Sequence, residues 1–110
     1  KQKGSAKLEI PYLKIDKNIY EPVNLPPDHK GVIALSNAFK EVIGIKPKIS
    51  CFPIVCDVSQ FYELGIEPII FGPASLLSGA HAENEYVQID QIINAAKIYA
   101  NMIIKWWELD

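Results

Sequence analysis

Apolar positions along this chain fall into two helical stripes and two short unalternated runs. Over residues 28–44, DHKGVIALSNAFKEVIG, Val32, Leu35, Phe39 and Val42 recur at i, i+3, i+7 and i+10, which lines one helix face. Pro26 and Pro27 precede this stripe, Asp28 suits its N-cap, and Gly44 stands where a left-handed closing residue belongs. A second stripe begins near Asp90 and runs through Ile92, Ala96, Tyr99, Ile103 and Trp106. Trp107 lies about 100° around from Trp106, so it is covered by a second surface or is partly exposed.

Between the stripes, KISCFPIV (residues 48–55) reads as a strand of β-type residues. Asp57 or Ser59 can cap a short helix through QFYEL, which Gly65 closes. The run Ile69–Phe71 has no alternation, as expected of a parallel strand covered on both faces. Strand, short helix and strand make a βαβ unit with a right-handed crossover. Near the start, Leu8, Ile10 and Tyr12 share one face of an extended segment, and Pro11 confines that segment to a sheet edge or breaks it. The proline-rich stretch EPVNLPP (21–27) is a linker and the best candidate for a domain boundary. The expected fold class is α/β, a mostly parallel sheet flanked by helices. A doubly covered strand needs more strand neighbours and layers than these elements supply, so the chain reads as the C-terminal portion of a larger α/β protein.

The totals narrow the function classes. The 110 residues suit one domain or a piece of one, and 49% apolar residues can form a packed core. A net charge of −2, with no basic patch carrying interleaved aromatics, argues against a nucleic-acid surface. No apolar run approaches a membrane span, and no apolar core of a secretory signal follows the basic first residues. Cys51 and Cys56 fit no common zinc spacing and read as two buried thiols of a cytoplasmic protein.

Candidate chemistry concentrates where the strands should end. Ligands of open α/β sheets bind beyond the carboxyl ends of strands. Two loops leave such ends, one carrying Asp57 and the other running from Gly72 to Glu85, and the βαβ geometry would bring them together. The second contains SGAHAENEYV, with His81 among small residues that let the backbone approach a ligand. Histidine is the commonest metal ligand and the usual acid or base, and Glu85 or Glu83 could hold its second ring nitrogen. By spacing alone the plainer reading is a locally capped loop histidine beside solvated glutamates, because catalytic zinc needs three protein ligands. His29, in the first turn of the first helix and away from the strand ends, reads as structural. GPAS (72–75) lacks the Gly/Lys pattern of a phosphate loop.

From Cys56 onward the chain resembles the C-terminal end of the M20 metallopeptidase family, which includes acetylornithine deacetylases, succinyl-diaminopimelate desuccinylases and amino-acid carboxypeptidases. The residues that carry the likeness are Asp57, Gly65 with Pro68, Phe71-Gly72-Pro73, Ala80-His81, Asn84-Glu85-Tyr86-Val87 and the final helix rich in alanine and tyrosine. Ala74 stands where the family has the second glycine of G-P-G, and it would be strained if that position needs φ > 0.

The resemblance implies a zinc-dependent amidohydrolase acting on N-acyl amino acids or small peptides. It implies two zinc ions per site, with cobalt or manganese as alternatives. His81 would be one metal ligand, and Gly72, Pro73, Ala74 and Ser75 would help bind the substrate. Glu85 and Asp57 would support the ligands, and Tyr86 and Val87 would pack beneath the loop. The remaining ligands and the general-base glutamate would lie in a missing N-terminal part, leaving the 110 residues inactive alone. Residues 1–24 would end an inserted lid domain that joins two copies as a homodimer, and residues 25–110 would belong to the catalytic domain. The competing readings are a non-catalytic α/β binding module and an M20-like homologue without metals.

Overall fold

The structure, a computed structural model, describes residues 22–54, 56–75 and 78–109. The segment Leu8–Tyr12 and nearly all of the expected lid remnant lie outside the described residues. Three helices are present: α1 (Lys30–Ile43), α2 (Val58–Glu63) and α3 (Ile89–Glu108).

The start of α1 follows from its prolines. The His29 N–H donates to the Pro26 carbonyl at 3.0 Å, closing a turn whose second residue is Pro27. Proline's fixed φ suits that position. The turn uses up Asp28, so the N-cap is His29, one residue later than the sequence suggested. Its Nδ1 accepts the Gly31 N–H at 3.1 Å. At the other end Gly44 adopts φ 86° and its N–H reaches the Lys40 carbonyl at 2.8 Å, the left-handed closure expected there.

Helices α1 and α3 pack against each other, and apart from Ile98 the side chains they bury are small. Gly31, Ala34 and Ala38 of α1 and Ala95 and Ile98 of α3 are buried. On α1 the seam lies about one residue around from Val32, Leu35, Phe39 and Val42, which are half-buried. On α3 the difference is larger. Ile92, Tyr99, Ile103 and Trp106 are exposed, while Asn94, Asn101, Met102 and Lys105 flank the buried residues. Periodicity picks out the largest apolar side chains, whereas helices in close approach meet through the smallest. Trp107 is 72% exposed, the partly exposed alternative.

Polar contacts tie the same helix pair. Lys105 Nζ lies 2.8 Å from Glu41 Oε1 and 3.0 Å from Glu108 Oε2, and Asn101 Nδ2 donates to Glu41 Oε2 at 2.7 Å. The hydrogen bond from Lys105, then that from Asn101, lowers the Glu41 pKa from 4.5, while the bonds to Glu41 and then Glu108 raise that of Lys105 from 10.5. A depressed carboxylate stabilises the fold above its unfolded pKa, and a raised ammonium does so below its own. The stabilising difference between the parent and Lys105→Met should therefore be full between those two values. It should fade as pH falls through the depressed Glu41 pKa and as it rises through the raised Lys105 pKa. Melting temperatures of both proteins across pH check this.

The expected sheet is not formed. Among the described residues there is no strand, and no backbone hydrogen bond joins residues 48–54 to 66–71. Each stretch holds a proline, Pro53 or Pro68, that removes a ladder donor. The 66–71 segment is held by helices instead. Ile66 donates its N–H to the Phe61 carbonyl at the end of α2. A Cβ on Gly31 would stand 2.8 Å from Ile69 Cδ1, which shows how closely Ile69 lies on α1. The Phe71 ring sits edge-on to Phe39 and Tyr99, with centroids 6.3 and 5.3 Å away. The apolar run that suggested a doubly covered strand is therefore covered in part by helices: Ile69 and Phe71 are half-buried, and Ile70 between them is exposed. The expectation of two buried thiols also fails, since Cys51 is exposed and Cys56 only half-buried.

Helix α2 matches its reading. Asp57 occupies the N-cap position, although its side chain makes no cap hydrogen bond, and Gly65 closes the helix at φ 78°.

Candidate functional site

The loop that follows Phe71 begins from a fixed point. The Tyr99 hydroxyl donates to the Phe71 carbonyl at 2.6 Å, so the chain enters Gly72 from an anchored peptide. Gly72, Ala74 and Ser75 are exposed and Pro73 is half-buried. A Cβ on Gly72 would meet nothing within 4 Å. Among the described residues His81 is the one non-glycine with positive φ, so Ala74 carries no left-handed strain and its methyl group costs the backbone nothing.

His81 itself is the strained residue. Its φ of 64° lies in the left-handed region, which costs an L-residue about 1–2 kcal/mol. A chain of local bonds holds it there. Gly79, at φ 79°, accepts the Ala82 N–H at 2.8 Å. Ala82 accepts the Glu85 N–H at 3.2 Å, and Ser78 accepts the Tyr86 N–H at 3.5 Å. The Glu85 carboxylate takes the backbone N–H of His81 at 3.2 Å. Glu85 thus bonds the backbone of the turn, whereas the sequence pointed to the second nitrogen of the His81 ring. Among the described residues the His81 imidazole has no hydrogen-bond partner, and the residue is exposed. Tyr86 and Val87 do not pack beneath the loop, being 62% and 38% exposed.

The arrangement presents one imidazole on a turn that local bonds have set. It does not assemble a complete metal centre: among the described residues no group of three His, Cys, Asp or Glu side chains could hold an ion. Asp57 and Glu83 are exposed, and neither shares such a group with His81. His81 therefore fits the role of one donor among several, and these residues alone do not fit a whole centre.

One residue carries more than the sequence suggested. Beyond capping α1, His29 places Nε2 3.0 Å from Glu67 Oε2. The pair stands at a cleft of about 380 Å³ whose wall includes Ile69, Phe71, Tyr99 and Trp106. Lys30 Nζ lies 4.7 Å from the Trp106 ring centroid, a cation–π contact between α1 and α3. The overlooked signal is the choice of histidine at an N-cap, where Ser, Thr, Asp or Asn would ordinarily serve.

Comparison with known proteins bears out the family resemblance. A family model described as peptidase family M20/M25/M40 matches residues 9–105. The chain belongs to this family. An N-formyl-4-amino-5-aminomethyl-2-methylpyrimidine deformylase from Bacillus subtilis (strain 168) is 35% identical to it over 88 residues. That alignment covers 80% of this chain and 20% of the relative, so the M20 segment described here spans about a fifth of that protein's length. No solved structure matches the chain. No helix among the described residues of this M20 segment is long and apolar enough to cross a membrane.

Proposed function

We propose that this chain is part of a metal-dependent hydrolase that cleaves the amide bond of a small N-acyl compound, with His81 as one metal ligand. The observation that carries the reading is His81 itself: an exposed imidazole with no hydrogen-bond partner among the described residues, held in a left-handed turn inside the H-x-x-N-E-Y stretch of an M20 family member. Strain kept at a polar, exposed position, where glycine would be easier, points to a role for that side chain. The deformylase relative acts, by its name, on a small N-formyl compound, which favours a small N-acyl amide over a long peptide.

In the reaction water adds to the acyl carbon, the C–N bond breaks, and the products are a carboxylate and an amine. A bound metal ion, zinc in this reading, polarises such a carbonyl and makes water nucleophilic at neutral pH. The chain's own contribution is placement. The Glu85 carboxylate, through the His81 N–H, holds the turn that aims the imidazole. The Phe71–Tyr99 bond fixes the start of the Gly72–Ser75 loop, which would face the substrate. The other ligands and the general base belong to the rest of the complete protein, and two copies would pair through the lid domain.

The test is amine release by the complete protein from N-formyl, N-acetyl and N-succinyl amides and from dipeptides. Release should stop with a chelator and return with zinc, cobalt or manganese. Residues 1–110 alone should release nothing, because one histidine cannot hold a catalytic ion. A metal-loaded complete protein that cleaves none of these amides would overturn the proposal.

A further inference from the structure

We propose that His29 is a positioning residue that clasps the 66–71 segment to α1 and so fixes where the Gly72–Ser75 loop stands. The inference rests on the substrate role proposed above for that loop.

The two ring nitrogens of His29 have different jobs, and together they demand one tautomer. Nδ1 accepts the Gly31 N–H at 3.1 Å, so it carries no proton. In the neutral ring the proton then sits on Nε2, which donates it to Glu67 Oε2 at 3.0 Å. The other tautomer would set an N–H against an N–H at the cap and a bare nitrogen against a carboxylate at the clasp. An aspartate or serine could cap α1 as well, but neither could also reach Glu67. The second bond accounts for a histidine at a position where shorter polar residues are favoured.

The clasp leads to the loop. Glu67 is bonded to His29, Ile69 lies on Gly31, and Phe71 is wedged between Phe39 and Tyr99. These anchors fall on every second residue, the spacing that puts side chains on one side of an extended chain. The residue after the last anchor is Gly72. Of the three side-chain anchors that of Glu67 alone is polar, Phe71 being held also through its carbonyl by the Tyr99 hydroxyl, and the Glu67 bond can be cut without removing apolar contact. The His29 side chain is 17% exposed and that of Glu67 59%, so the bond is formed at the rim of the cleft.

Conservative variants of the complete protein separate the two jobs. His29→Asn keeps an oxygen that can cap α1 but loses reach to Glu67. Glu67→Ala removes the acceptor, and Glu67→Gln restores one. In His29→Asn and Glu67→Ala, amide hydrogen exchange over residues 70–75 should accelerate. KM for the amide substrate should rise about two- to fivefold with kcat nearly unchanged, the scale of one partly exposed hydrogen bond. Glu67→Gln should return both toward the parent. Imidazole ¹⁵N spectra of the parent should show His29 protonated on Nε2 alone. Unchanged exchange in both disabling variants overturns the clasp, as does a ring protonated on Nδ1. Faster exchange with an unaltered KM, in a protein that turns over, overturns the positioning role. Failure of the hydrolase reading shows separately, as absence of turnover by the parent, and the exchange and spectra still decide the clasp.

Discussion

His81→Ala in the complete protein is expected to lower metal content and cut turnover by well over 100-fold while leaving the metal-free fold in place. Removing a supporting group around a metal ligand already costs about 10–100-fold, and losing the ligand itself should exceed that. The fold should hold because His81 is exposed and its ring touches no partner among the described residues. The left-handed backbone adds a second, sharper expectation. At φ 64° alanine keeps the strain and glycine releases it, so His81→Gly should be more stable than His81→Ala by about 1 kcal/mol, although both lose the metal. Glu85→Gln should be mild, since an amide oxygen can still accept the His81 N–H. Glu85→Ala should loosen the turn and weaken metal binding further. Metal analysis, turnover and thermal melts of the four variants check all of this. Full metal and full activity in His81→Ala would reduce the histidine to a loop residue and remove the basis of the proposed function.

What the sequence made legible depended on whether the signal was local. Both long helices, the closing glycines Gly44 and Gly65, the short helix after Asp57 and the loop around His81 are written in residues a few positions apart. The faces of the helices are not. Val32, Leu35, Phe39 and Val42 mark the apolar side of α1, but Ala34 and Ala38 are the positions it buries fully, and only the partner decides between them. The sheet was misread for a related reason. Ile69–Phe71 is apolar without alternation, which suits a covered strand, yet a strand also needs backbone partners, and a residue's pattern cannot show whether they are present. The position of Glu85 pointed to the His81 ring, but its bond goes to the His81 backbone. His29 was set aside because a lone histidine at a helix start looks local, while its second partner, Glu67, lies 38 residues away.

Ala38→Leu is expected to be the most damaging change in the helix pair. Ala38 and Ala34 are fully buried, and they share the seam with Ala95 and Ile98 of α3. Added carbons must displace α3 or adopt poor rotamers, which typically costs about 1–3 kcal/mol. Ala38→Gly separates this from helix propensity, since it should cost about 1 kcal/mol without pushing α3 away. The functional consequence follows from Tyr99. Its hydroxyl holds the Phe71 carbonyl at 2.6 Å, and Phe71 immediately precedes the Gly72–Ser75 loop. A leucine that shifts α3 by even a few tenths of an ångström moves that anchor. Turnover in Ala38→Leu should then fall by more than its folded fraction allows, while Ala38→Gly should lose activity only in proportion to unfolding. Tyr99→Phe, which removes the hydroxyl and keeps the ring beside Phe71, should reproduce the loss of turnover with little change in stability. Denaturant unfolding and steady-state kinetics of the three variants in the complete protein make the comparison. If Ala38→Leu loses activity only as it unfolds and Tyr99→Phe turns over like the parent, α3 supports the fold alone and does not set the position of the loop.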